Sequence, residues 1–405
     1  MKKYLFLMIP ILFACQTEPI SQPLPIRNIR AEQDSILAKY LDLSKFDRIP
    51  YFRVHLNPPH SREQMTTVME MPVMDLGRVM FYDQNLSADR TVSCASCHQQ
   101  KHAFSDSTAF STGVYGNQTL RNSYALGSFT NFSNYYNTTF AFGGNLPQLF
   151  WDNRATSVNE QIHETLANPN EMDLDQDELL ARINTLEYYP ILFDRVFDDD
   201  SWQNNQFQIT AGLHFFLNSF STQDSRFDLE QKKLAEQNTF QKEDFTKDFA
   251  SFTPAENLGK TLFITHCASC HGRFLGFQMD RFFTQSLQTA TCNGLDASYS
   301  DKGVGAFQND PTKDGFFKIP SLRNIAVTGP YMHDGRFATL REVIQFYNHD
   351  IQPHPNLDPL LLDDGGQPIR LNLTKAEVLA LEEFLHTLTD ESFLTDDRWS
   401  DPFLR

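Results

Sequence analysis

No apolar run in this chain is long enough to cross a bilayer. The strongest candidate, "YLFLMIPILFA" at residues 4–14, falls short of the roughly 20 apolar residues a spanning helix needs. With Lys2 and Lys3 ahead of it and Cys15 behind, it reads as an export signal over residues 1–14. "LFAC" is the pattern of a lipidated Cys15, with a plain secretory signal or an uncleaved anchor as the alternatives. Pro-rich "TEPISQPLPIRN" then opens a tether that runs to residue 64. Positive charge is also short: 34 Lys and Arg face 51 Asp and Glu, a formal net charge of −17. That balance excludes nucleic acid as a natural partner and suits a basic protein partner or simple solubility. The 405 residues, 40% of them hydrophobic, suffice for two domains with separate cores.

Cysteine is scarce. There are six, and four of them fall in two identical pentapeptides, Cys94-Ala-Ser-Cys97-His98 and Cys267-Ala-Ser-Cys270-His271. This spacing is that of covalent c-type haem attachment, two thiols for the haem vinyl groups and an adjacent imidazole for the iron. A Cys₄ zinc site or a pair of CxxC disulfides would not explain a His after both pairs. Cys292 is left over and reads as an inert thiol.

The chain repeats itself around these motifs. "LGRVMF" (76–81) precedes the first as "LGKTLF" (258–263) precedes the second; "TLRNSYALG" (119–127) returns as "SLRNIAVTG" (321–329), and "WDNRATSVNEQI" (151–162) as "HDGRFATLREVI" (333–344). Conserved order across four blocks means two haem units of one design, residues 65–220 and 250–390, with a charged linker at 221–249 and a tail at 391–405. Thr253-Pro-Ala-Glu256, Ser157-Val-Asn-Glu160 and Thr339-Leu-Arg-Glu342 are capping boxes that start helices. Beyond the last two, Val158, Gln161, Ile162 and Thr165 match Leu340, Val343, Ile344 and Tyr347 on an inward helical face. If each face overlooks its haem, the second is offered a phenol and the first only a short hydroxyl.

Between about residues 75 and 390 the chain resembles the bacterial di-haem cytochrome c peroxidases, and within them the MauG-type enzymes that oxidise protein residues. The carrying stretches are "LGRVMFYDQNLSADRTVSCASCH", "FWDNRATSVNEQ", "NPNEM" and "IPSLRNIAVTGPYMHDGRFATL". The resemblance implies an all-α fold of two cytochrome-c-like haem domains, an N-terminal peroxidatic one and a C-terminal electron-transfer one, packed with a calcium ion between them. It makes Trp151 the bridge for electrons between haems, Glu171 the acid/base over the first haem, and Gln161 a neighbour lining that pocket. It assigns calcium to the Asn122 side chain and to the backbone carbonyls of Thr328 and Pro330. Where many relatives carry a loop His that blocks the first iron, this chain has Val114, so that iron is expected to be open. The second iron's further ligand falls on Tyr347, with Met332 of "GPYMHDG" as the alternative.

The expected activity is cleavage of hydrogen peroxide at the first haem, supplied with electrons by a small cytochrome or cupredoxin through the second. A MauG-like oxidase of a protein or small molecule is the alternative, and a non-catalytic carrier or sensor a third, disfavoured by the open iron. The expected place is the periplasm, on a lipid anchor.

Overall fold

The computed structural model describes residues 29–46, 52–55, 66–69, 71–126, 149–197, 206–220, 222–236, 246–271 and 290–404. The expected signal peptide and the lipidated Cys15 lie outside the described residues. Helices dominate: α1 (Ile29–Leu37), α2 (Met71–Tyr82), α3 (Cys94–Cys97), α4 (Val158–Ala167), α5 (Gln176–Thr185), α6 (Tyr188–Asp194) and α7 (Gln206–Asn218) in the first half. The second half holds α8 (Arg226–Glu236), α9 (Pro254–His266), α10 (Ala268–His271), α11 (Val304–Gln308), α12 (Leu340–Gln345), α13 (Lys375–His386) and α14 (Glu391–Thr395). The all-α expectation needs one correction. Two short antiparallel pairs are present, Phe52–His55 with Thr66–Met69 and Ala290–Thr291 with Phe317–Lys318; the second pair clamps a loop beside the second haem motif.

The repeat is visible in the packing. α2 crosses α7 at Gly77, where a Cβ would stand 1.8 Å from the Gly212 carbonyl oxygen, and α9 crosses α13 at Gly259, where it would stand 1.9 Å from that of Ala380. Both crossings rest on a phenylalanine, Phe216 or Phe384, whose Cβ is 2.7 Å from the same hypothetical atom. Glycine is required there because the backbones themselves touch. The loops around Trp151 and His333 also match: Leu149 pairs with Ala155 as Tyr331 pairs with Phe337, and positive φ recurs at Phe150 (63°) and Met332 (74°), then at Asn153 (58°) and Gly335 (64°).

Helix starts follow the sequence with one exception. Thr253 and Thr339 make reciprocal capping boxes with Glu256 and Glu342. Ser157 accepts from the Glu160 amide, but the Glu160 carboxylate reaches one residue further back, to the Thr156 amide and hydroxyl (2.6 and 2.8 Å).

A first core holds the aromatic cluster of Phe81, Phe104, Phe216 and Phe220, and takes in Leu37 and Leu41 from the N-terminal side and Phe393 and Trp399 from the C-terminal side. Residues 391–404, read above only as a tail, therefore pack on the first half of the chain. A second core gathers Phe227, Phe252, Phe263 and Phe384, and a third Cys292, Tyr299, Phe317 and Phe346. Within the charged linker, α8 is held by Phe227 and by a buried bidentate pair of Arg323 with Asp228 (both bonds 2.8 Å).

Candidate haem sites and the ground between them

Both attachment motifs hold their histidines in one orientation. The His98 Nδ1–H donates to the Phe104 carbonyl at 2.8 Å, and the His271 Nδ1–H to that of Pro320 at 3.1 Å. A histidine that gives up Nδ1 in this way presents an unprotonated Nε2, the usual preparation of a metal ligand. Burial lowers both imidazole pKa values, that of His271 to about 4. The four thiols are unpaired with one another. Ser123 ties the first site down, donating to the Cys97 carbonyl at 2.8 Å with its hydroxyl 3.4 Å from His98 Nδ1.

Beside the second motif lies a largely apolar cavity of about 1690 Å³, its mouth included, lined by Cys267, Cys270, His271, Trp151, Met332 and Tyr347 among others. Its apolar lining, with the two thiols and the imidazole at one wall, suits a macrocycle with an apolar face. Tyr347 sits in a π-helical turn, Phe346–Asp350, that continues α12. Such turns insert one residue and often re-aim a side chain at a functional site. Asn293, a residue that sequence reasoning passed over, donates its amide to the Tyr347 hydroxyl at 3.3 Å and to Met332 Sδ at 3.9 Å. Both candidate ligands thus face the same cavity, joined by one amide. Burial raises the Tyr347 phenol to about 12. Lys318 lines the same wall, its amine brought down to about 8 by burial.

Trp151 also lines this cavity, and its indole N–H donates at 2.8 Å to the carbonyl of Asn122, the residue before Ser123. The indole packs edge-on against Tyr124 at 5.1 Å. Segment 122–124 therefore touches His98 on one side and Trp151 on the other. The Asn122 amide nitrogen is committed to the carbonyls of Thr108 and Ala109 (3.1 and 3.3 Å), leaving the amide oxygen for another partner. Asn122, Thr328 and Pro330 line one cavity. The Asn122 amide oxygen and the Thr328 and Pro330 carbonyls are neutral oxygen donors, which suit calcium and not zinc.

Over the first motif, Glu171 is half-buried and close enough for its charge to act on Cys94 and Cys97. Burial pushes its carboxyl up, against the Asn168 amide that donates to it at 2.7 Å and the nearby Arg154 and Thr165. Val114 is fully buried, and its backbone amide donates to the Glu171 backbone carbonyl at 2.9 Å, which ties the loop to the segment that carries the acid. Gln161 is half-buried on α4. A chain of ion pairs runs behind the site: Glu164 to Arg154 (2.7 Å), Arg154 to Asp152 (2.9 Å), Asp152 to Arg121 (2.6 Å) and Arg121 to Asp301 (2.7 Å). Sequence reasoning missed both Arg154, which links the nearby Asp152 and Glu164, and Asp301, whose partner Arg121 lies 180 positions away. His163 makes an exposed contact with Gln176, and His102 donates to the Val327 carbonyl at 3.2 Å. His333 stacks on Phe317 at 3.7 Å, and Cys292 is fully buried.

Two oriented histidines, each behind a CxxC pair, in a duplicated and mostly helical frame define a di-haem c-type cytochrome with a half-buried carboxyl near one attachment motif. Residues 72–236 match the family described as di-haem cytochrome c peroxidase. The methylamine utilization protein MauG of Paracoccus denitrificans (strain Pd 1222) is 32% identical over 359 residues, covering 78% of this chain and 88% of that protein. The cytochrome-c peroxidase IdrP2 of Pseudomonas sp. (strain SCT) is 26% identical over 349 residues, covering 80% and 83%. Among solved structures, a MauG-like protein associated with microbial copper homeostasis superposes with a TM-score of 0.64 at 30% identity, covering 87% of this chain and 98% of that one. The chain belongs to the di-haem cytochrome c peroxidase family, and is a peroxidase-type oxidoreductase with two c-type haems.

Proposed function

We propose that the chain reduces hydrogen peroxide at the haem of His98, with Glu171 as the proton-moving group, and that the haem of His271 passes in electrons from a small cytochrome or cupredoxin. The observation that carries this reading is the setting of Glu171: burial raises its pKa, Val114 and not an imidazole stands in the loop bonded to its backbone, and it lies close enough to both thiols of the first motif to act on them. When bound, the haems supply the redox chemistry, reductive cleavage of the O–O bond at the first and electron exchange at the second.

The chain's own residues do the rest. The Glu171 carboxylate takes the proton from the near oxygen of peroxide and returns it to the departing one, while Asn168 fixes the carboxyl and Gln161 lines the approach. Trp151, bonded to the segment that touches His98, bridges the two sites for electrons. Tyr347 offers the second iron a hard oxygen donor, with the Met332 thioether as the softer alternative. Asn122, Thr328 and Pro330 would hold a calcium ion where the units at 65–220 and 250–390 meet, which stiffens the ground around Trp151. Export through residues 1–14 and lipidation at Cys15 would set the enzyme on a membrane facing the periplasm.

The MauG-like reading, oxidation of a protein or small molecule in place of cytochrome c, is favoured by one observation: the Tyr347 hydroxyl turned to the second cavity. The test of the main reading is stopped-flow mixing of haem-loaded protein with hydrogen peroxide. Glu171→Gln should slow the reaction about 10²- to 10⁴-fold, the range of a lost general acid/base. An unchanged rate reduces Glu171 to a structural acid and overturns the reading.

A further inference from the structure

Three tyrosines in or against the first core stack on one another and are left idle by the chemistry above. Tyr189 is fully buried, and close enough to the first attachment motif for Cys94 to act on it electrostatically. Its ring centroid is 4.8 Å from that of Tyr188, which is itself buried. The Tyr188 centroid is 5.2 Å from that of Tyr40, a half-buried ring whose hydroxyl reaches the surface and donates to the exposed Glu187 at 3.0 Å. An unbroken line of touching phenols thus runs from beside the first haem motif to solvent.

Each phenol has a carboxylate at hydrogen-bonding distance. Asp83 Oδ2 accepts from Tyr188 at 2.6 Å and from Tyr189 at 2.8 Å, and Glu187 accepts from Tyr40. These distances lie within the roughly 2.6–3.2 Å over which a side chain takes a proton directly. A purely structural role accounts for half of this. Asp83 caps the short turn Gln84–Leu86 through Oδ1, which holds the Asn85 amide and side chain at 2.9 Å. Capping leaves Oδ2 unexplained, and it does not require two consecutive tyrosines on one oxygen or a third stacked outward. Burial, then the Asp83 charge, holds Tyr188 and Tyr189 well above the ordinary phenol range; both are neutral at rest, so losing an electron means losing a proton too.

From this arrangement we infer that Tyr189, Tyr188 and Tyr40 form a relay through which the first haem, once oxidised by peroxide, draws electrons from a phenolic one-electron donor at the surface. The inference rests on the peroxidase reading above. In each hop the phenol sends its electron inward and its proton to Asp83, or to Glu187 at Tyr40; re-reduction by the next ring brings the proton back. At Tyr40 the radical takes an electron from the donor and a proton from Glu187, and the donor's phenolic proton goes to solvent. One hydrogen peroxide consumes two electrons and two protons and yields two waters, so two donor phenols become two phenoxyl radicals.

The test uses the haem-loaded full chain, mixed with stoichiometric hydrogen peroxide and freeze-quenched for electron paramagnetic resonance. A parallel sample carries a nitroso spin trap and is mapped by peptide mass spectrometry. Haem content and the optical response to peroxide are recorded for every variant. The wild type should give a tyrosyl signal and a trap adduct at Tyr40. Tyr40→Phe, a surface change that leaves the core intact, should keep an internal tyrosyl signal and lose the adduct; Tyr189→Phe should lose both. A haem that responds to peroxide without any tyrosyl signal, or an adduct at Tyr40 that survives Tyr189→Phe, overturns the relay while leaving the peroxidase reading in place. A haem that does not respond to peroxide overturns the peroxidase reading, and the relay with it.

Discussion

The Asn293 amide stands between two chemically opposed candidate ligands. Its contacts at 3.3 Å to the Tyr347 oxygen and 3.9 Å to the Met332 sulfur mean that either side chain meets the second iron with the other close by. If the phenol is the ligand, Tyr347→Phe removes the six-coordinate ferric spectrum of the second haem and Met332→Leu leaves it. The reverse pattern would identify the thioether and point to an ordinary cytochrome c peroxidase. Glu171 makes a separate claim on pH. Its carboxyl sits above the ordinary 4.5 because burial penalises the charge, and peroxide cleavage needs the ionised form as base. The rate of peroxide reaction should therefore fall as pH drops through a value above 4.5, and this limb should vanish in Glu171→Gln. The attachment cysteines and histidines were legible in the sequence because their chemistry is local, five residues wide. Asn293 and Asp301 were not, since each gets its meaning from side chains brought in by folding.

Helices and loops show why the repeat was so readable. Four blocks match because each carries a geometric demand that few residues meet: a glycine where backbones touch, a left-handed residue before a tight turn, a capped helix start. Gly259 tests this. A methyl group there would meet the Ala380 carbonyl at 1.9 Å, so α9 and α13 must separate, and Gly259→Ala should cost about 1–3 kcal/mol, the range of an overpacked core. Thermal unfolding of the haem-loaded protein checks it, and Gly77→Ala should do the same in the first unit. A fifth match, Gly212–Phe216 with Ala380–Phe384, escaped notice because only Leu and Phe recur, yet these are the partner faces of the two crossings. The π-helical turn under Tyr347 was also hidden, since helical periodicity marks the inward face but not a single inserted residue.

At the scale of the whole molecule, the first core is closed by both ends of the described chain. Leu41 pairs with Phe403, the Asp42 amide donates to the Pro402 carbonyl at 2.8 Å, and buried Arg78 donates to the carbonyls of Lys45 and Arg398, both at 2.9 Å. Phe393 and Trp399 fill the aromatic cluster beside Phe220, with ring centroids 5.6 and 6.3 Å away. Trp399→Ala should cost about 3–5 kcal/mol, as large-to-small changes of buried aromatics do, and denaturant unfolding should show the loss. The sequence hid this closure because the terminal segments are too short to carry a periodic pattern, and so read as tether and tail. Phe393 and Trp399 are thus wall as much as filling: they stand between Phe220 and solvent, so any loosening of residues 391–399 would let water into the aromatic ground behind the first haem motif without touching a single haem-binding residue.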